Sequence, residues 1–289
     1  MTRGETRFGV QLDIANNLLI PAAGPNGESV TEDFETQRLK VSWRRGLGHD
    51  LEFGVGANLT ARNGGFTDAP IELYHHLLGL AGQDRDNPAG RDNLPRNRSI
   101  LAFRNAQGQG VSEGSAFGLG DTSFWLKKQF SRGKFASAAR VALKAPTGSE
   151  SKILGSGGFD AGFAFDARYQ FARKWALFGN LGAAKYGQSS IPGAHGSGWQ
   201  AGLGFEWRVG KRSSVILQSD AASRAVTTGN PFADRTPVIG SIGFKRRLSK
   251  GRAFWLALAE NGDYQNYSVP TFGNVAPDST FSFGYEISR

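Results

Sequence analysis

Between Gly158 and Leu181 the apolar residues fall on every second position. Phe159, Ala161, Phe163, Phe165, Ala167, Tyr169 and Phe171 form one run, and Trp175, Leu177, Gly179 and Leu181 form the next. Asp160, Asp166, Arg168 and Gln170 fill the gaps. A period of two places the apolar set on one face of a strand. The pattern recurs in twelve segments: this pair and those at about 6–16, 36–45, 51–61, 119–130, 135–145, 199–209, 214–223, 237–248, 253–261 and 279–288. The connections between them alternate strictly in length. Short turns at 46–50, 131–134, 172–174, 210–213 and 249–252 alternate with long loops at 18–34, 63–118, 146–157, 187–197, 224–235 and 262–278.

A soluble sandwich has no reason to keep its short turns at one end. An outer-membrane barrel does, with short turns on the periplasmic side and long loops outside. Strands of about 10 residues also suit a tilted crossing of the bilayer. The chain therefore reads as all-β: a 12-stranded antiparallel up-and-down transmembrane β-barrel, one domain over residues 1–289. One long external loop, 63–118, is inserted in it. In each hairpin one register sets apolar against apolar. It puts Leu126 opposite Ala139, Phe124 opposite Val141, and Tyr169 opposite Leu177. The aromatics Trp43, Phe130, Phe135, Phe171, Trp175 and Trp207 gather near the short turns, with Phe159 and Trp199 near the loops. Those are girdle positions at the two membrane interfaces. The segment 253–261 is ambiguous, because either of its faces would serve as the apolar one.

Composition narrows the alternatives. Cysteine is absent, which excludes disulfides and thiolate metal sites. No apolar run approaches the roughly 18 residues of a helical span. The start, MTRGETRFGV, has no apolar export segment, so the chain is read as a mature form whose signal has been removed. The net charge of +9 does not require nucleic acid. Arg132, Lys134, Arg173, Lys174, Lys211, Arg212, Lys250 and Arg252 all lie in four short turns without an acidic residue. There they suit an anionic lipid leaflet.

The face opposite the apolar one is polar and is expected to line the lumen, where charge is hydrated or paired. Candidate lumen residues are Arg38, Lys40, Arg44, Asp121, Lys127, Arg140, Lys144, Asp160, Asp166, Arg168, Glu206 and Arg208. Gly54, Gly56, Gly162, Gly182, Gly202 and Gly204 lie among them and are read as room for long basic side chains. Hairpin register sets Asp121 opposite Lys144, with Asp160 close by. This trio is read as an ion-pair set fixing the loop APTGSESKILGSGG, with a ligand-contacting vestibule as the alternative.

In loop 63–118 the stretch FTDAPIELYHHLLGLAG reads as a short helix, with Asp68 as N-cap, Pro70 in the first turn and Gly79 at the stop. Ile71, Tyr74, His75 and Leu78 are candidates for a cap over the barrel, or for a constriction if the loop folds into it. Adjacent His75 and His76 point in different directions on a helix, which argues against a shared metal. No Ser–His–acid spacing suggests a hydrolase. No cofactor, metal or catalytic residue is expected.

GGFTDAPIELYHHLLGL, QDRDNPAGRDN, FGLGDTSFWLK, ALKAPTG and GSGGFDAG together resemble a family of Gram-negative outer-membrane barrels classed by sequence as a domain of unknown function. The residues carrying the likeness include Gly64, Gly65, Asp68, Glu72, Arg85, Asp121, Lys144 and Asp160. The resemblance implies the fold, the bacterial outer membrane and handling by barrel-assembly machinery, and no activity. Barrels of this kind usually end on an aromatic residue, whereas here the alternation Phe281, Phe283, Tyr285, Ile287 arrives in phase at Arg289. The functional expectation is a passive, non-enzymatic channel for small solutes with a mild preference for anions. The alternative is a non-conducting structural or surface-binding barrel with a plugged lumen.

Overall fold

A computed structural model describes residues 1–19, 23–70, 73, 97–231, 233–248, 251–261, 277 and 279–289. Its strands are β1 (Thr6–Leu19), β2 (Ser29–Gly48), β3 (Leu51–Asn63), β4 (Ile100–Arg104), β5 (Gly110–Glu113), β6 (Ala116–Leu119), β7 (Thr122–Ser131) and β8 (Phe135–Ala145). The series continues with β9 (Asp160–Ala172), β10 (Trp175–Lys185), β11 (Ser197–Trp207), β12 (Ser213–Ala222), β13 (Val238–Arg247), β14 (Arg252–Asn261) and β15 (Ser279–Ser288). Strands β1, β2, β3 and β7 to β15 pair in succession, and β15 returns to β1 in antiparallel register from Arg7↔Ser288 to Asn16↔Ser279. The result is a closed twelve-stranded barrel. Closure gives each strand a partner on both edges, which a lipid-facing wall requires.

The burial pattern is inside out. Among the described residues, the buried apolar set is one valine and five alanines. Large apolar side chains are exposed instead: Leu203 at 66%, Leu181 at 64%, Phe163 at 53% and Leu217 at 50%. They are register neighbours, as in Phe165–Leu181, Phe205–Leu217, Leu217–Ile242, Leu256–Phe283 and Phe283–Leu12. An apolar band therefore runs round the outside. The total accessible surface is 16188 Å², against about 12,000 Å² for a compact soluble protein of this mass. At the short-turn end Trp175 stacks on Phe205 (4.8 Å) and on Trp207 (5.3 Å), and Trp43 meets Phe53 edge-on at 6.3 Å. These contacts build the expected girdle.

The ambiguous strand β14 is now fixed. Leu256 pairs with Phe244 and Phe283, and Leu258 with Ile242 and Phe281, so both face outward and Trp255 faces in. The β2–β3 turn is a two-residue connection with His49 and Asp50 both at positive φ (49° and 60°). That is the hairpin geometry whose twist matches the strands it joins.

Several details depart from the sequence expectation. The β7–β8 register is offset by two residues, with Leu126↔Val141 and Phe124↔Leu143, and a bulge falls between Gln129 and Ser131. An offset of two keeps every side chain on its face. The expected strand at 119–130 is divided into β6 and β7 at Gly120–Asp121. β2 has 20 residues rather than about ten, and its first residues pair with β4, which pairs in turn with β5. Residues 68–70 and Leu73 are helical, where a helix was expected to begin. The rest of the expected helix, with Ile71, Tyr74, His75 and Leu78, lies outside the described residues.

Candidate functional site: a charged lumen beneath clasped external loops

The inner wall carries its charges in small sets. Near the short turns, Glu286 on β15 pairs with Arg44 on β2 and, at 3.5 Å, with Arg7 on β1. Arg7 also reaches Glu5 at 3.0 Å. A second carboxylate, Glu206 on β11, accepts from Arg168 on β9 at 2.8 Å and lies 3.8 Å from Arg208. Ser214 Oγ donates to its other oxygen at 2.7 Å. The Arg168–Glu206 pair spans β10 beside Ala176, which is 1% exposed. Long chains thus lie along the wall over small residues. Asp13 pairs with Lys40 at 2.7 Å and accepts from Ser282 Oγ at 2.7 Å.

Toward the long loops Lys144 Nζ bridges Asp121 (2.8 Å) and Asp160 and donates to Ser156 Oγ (2.5 Å). Asp121 also accepts the N–H of Gly148 (3.0 Å) and of Ser156 (2.9 Å), and Asp160 that of Gly187 (2.9 Å). Both carboxylates therefore hold loop backbone. The trio is thus joined by ion pairs, and its carboxylates bind the backbone of loops 146–157 and 187–197. Lys144 stands opposite Ser123 in register and reaches Asp121 diagonally.

Of the other candidates, Lys127 and Arg140 are register partners across β7 and β8, both half-buried. Arg38 stands opposite Asp13 on β1 and is exposed, and Asp166 stands opposite Asn180. None of these four has an ion pair among the described residues. Lys245 and Arg247, on the inward parity of β13, are also exposed.

The glycines serve a different purpose from the one expected. A Cβ at Gly54 would collide with the Trp125 ring, one at Gly204 with Phe178, and one at Gly284 with Trp255. Gly54 and Gly204 thus make room for flat-lying inward aromatics rather than for basic chains. Composition signalled these aromatics, but strand ambiguity hid the direction of Trp255.

Above the wall the external loops are tied to one another. Glu150 in loop 146–157 accepts from Ser189 Oγ (2.7 Å) and the N–H of Ser190 (2.6 Å). The Ser189 hydroxyl and the Ser190 N–H hold its carboxyl below the usual range. Loop 187–197 joins loop 224–235 through Thr227 N–H to Gly193 O (2.9 Å), His195 N–H to Ala225 O (2.8 Å) and the His195–Thr227 side chains (2.6 Å). Gly229 in that loop abuts the Glu28 side chain of the β1–β2 hairpin. On the outer side of the wall, Glu35 is 1% exposed and accepts the N–H of Thr67 at 2.9 Å, while Asn16 donates to Thr67 and Asp68. The root of the long insertion is thereby pinned to β1 and β2.

At the inner mouth Arg62 is 3% exposed. Its Nε donates to Gly114 O (3.0 Å) and its guanidinium lies over the Phe34 ring. Nearby Glu32, on the extension of β2 that pairs with β4, is buried, and burial pushes its carboxyl up to about 8. Charge alternation on both faces of VTEDFETQ concealed this strand extension in the sequence.

This architecture has parallels among solved structures. The COG4313 outer membrane channel from Pseudomonas putida F1 superposes with a TM-score of 0.61 at 13% identity, covering 100% of this chain and 97% of that one. The NanC porin gives 0.47 at 7% identity, covering 98% of each chain. At 13% identity the likeness to the first is one of fold, and that fold is an outer-membrane barrel. No curated protein matches in sequence. The family model described as "Protein of unknown function (DUF3187)" matches residues 4–281, and the chain belongs to that family.

Proposed function

We propose that this barrel is a passive channel of the bacterial outer membrane for small water-soluble solutes, with anions favoured. The observation that carries this reading is the exposure of Arg38, Lys245 and Arg247 on the inward face. Inward cations of a closed barrel are exposed when water reaches them inside. Among the described residues, the inward rings of Trp125, Phe178 and Trp255 pack against glycines of the wall rather than across the lumen. The similar fold of a protein described as an outer membrane channel supports the reading. The basic short turns belong against anionic phospholipid on the periplasmic side, each group contributing roughly 1 kcal/mol. The chemistry is transport without catalysis.

The clasped loops favour a second reading, a capped barrel that binds partners at its surface and conducts nothing. Planar-bilayer recording separates the two. Discrete conductance steps are expected from the purified, folded protein. Correctly folded protein with no current above leak sinks the channel reading in favour of the capped one.

A further inference from the structure

The inward charges are sorted by height. In the half of the lumen nearer the short turns, each of two carboxylates is shared by two arginines: Glu286 by Arg7 and Arg44, Glu206 by Arg168 and Arg208. Four further cations there, Lys127, Arg140, Lys245 and Arg247, carry no ion pair among the described residues. Lys127 and Arg140 face one another directly. Like charges so placed repel. Two carboxylates also lie here without an ion pair among the described residues, Glu52 in register on the other side of Lys127 and Asp166 on β9 opposite Ala138, and the cations of this half outnumber its acids. In the cluster at the long-loop rim the ratio inverts, since one Lys144 is shared by Asp121 and Asp160, while Arg38 and Arg62 are further basic groups on the loop-end half of the wall.

We propose that the lumen is electrically polarised along its axis. Its lower chamber, built around Lys127, Arg140, Lys245 and Arg247, concentrates small anions, and the acid-weighted rim does not. Anions therefore pass more readily in one direction than in the other. This deepens the channel reading and rests on it for the directional part.

The length scales permit it. The apolar band of such barrels is about 25 Å tall, and charge is screened over about 8 Å at 0.15 M salt. The two ends are therefore felt separately by a passing ion, and low-dielectric walls focus each field on the axis. At about 1 M salt the screening length falls to about 3 Å, and the asymmetry is expected to vanish.

The molecule carries its own reporters of the chamber. Trp255 is the register partner of Lys245, and inward Trp125 precedes Lys127 by two residues on β7. The test compares the wild type with the variant K127Q/R140Q/K245Q/R247Q. All four groups lack an ion pair among the described residues, so no described carboxylate is orphaned, and folding is checked by heat-modifiable gel migration. In planar bilayers the wild type is expected to pass unequal currents at equal and opposite voltages in 0.15 M KCl. The variant should lose that inequality and its reversal potential under a salt gradient should shift toward cations. Equal rectification in both proteins, or none in a conducting wild type, overturns the proposal. Iodide quenching of tryptophan fluorescence, with neutral acrylamide as reference, reads the chamber without conduction. Stronger iodide quenching in the wild type than in the variant supports it, and equal quenching overturns it. A folded wild type that carries no current overturns the channel reading and the directional claim, and the iodide result then decides the chamber.

Discussion

The indole of Trp125 lies against Gly54 on the neighbouring strand, in the space that a side chain at residue 54 would need. Trp255 and Gly284 repeat the relationship across β14 and β15. Each glycine lets an inward aromatic lie flat against the wall instead of across the lumen.

Replacing Gly54 or Gly284 by alanine is therefore expected to lift the ring off the wall. Overpacking of this kind costs about 1–3 kcal/mol. The ring, displaced toward the axis, should also lower single-channel conductance and make tryptophan more accessible to acrylamide. Unchanged conductance and quenching in a stably folded Gly54→Ala protein would contradict the placement of Trp125.

The two faces of β10 offer a direct comparison. Leu181 is 64% exposed on the outer band, and Asn180 beside it faces in, opposite Gly202. Leu181→Arg should destabilise the barrel in lipid vesicles by roughly 2–4 kcal/mol if it lies near the bilayer midplane. Asn180→Arg should cost far less, because its charge enters water. Urea titration of both variants measures the difference, and equal costs would mean that the outer band does not meet lipid.

Asp121 holds two loop amides and Lys144 at once. Asp121→Ala leaves Lys144 with Asp160 alone and frees both N–H groups. A net loss of about 1 kcal/mol per hydrogen bond falls mainly on loop 146–157, not on the barrel. The expected outcome is faster proteolysis within that loop with unaltered gel migration of the barrel.

Glu32 gives a pH dependence of definite sign. Its carboxyl ordinarily titrates near 4.5 and is raised to about 8 in the folded protein. The folded state thus keeps a proton that the unfolded chain releases, and stability falls as pH rises between those values. The slope is at most about 1.4 kcal/mol per pH unit. Glu32→Gln should match the wild type below pH 4.5 and exceed it in stability above pH 8. Parallel denaturation curves at both pH values would refute the burial of this group.

Much of the barrel was legible because its strands obey a period of two against a lipid solvent, a severe filter on sequence. The direction of Phe159 to Phe171, the strand count and the loop segregation all follow from it. The Asp121–Lys144–Asp160 set was visible because hairpin neighbours are close in sequence. Other features depend on what local pattern does not encode. The two-residue offset between β7 and β8 shifts a register without changing any face. β14 reads AFWLALA, apolar on both sides, because Trp255 packs on a glycine one strand away. The β2 extension carries Glu32, Asp33 and Glu35 on alternating faces, both covered, and period-two reading expects one face open.

Closure leaves the membrane-crossing wall with no strand edge at all. The insertion between β3 and β7 brings edges back, at β5 and at β6. β5 pairs with β4 and, among the described residues, with nothing on its other side. An unpaired edge is a template on which another chain can add a strand. At β5 it is four residues long, begins with a glycine and ends with Glu113. So short and charged an edge gives an incoming strand little to grip, which protects neighbouring copies from stitching themselves together outside the bilayer.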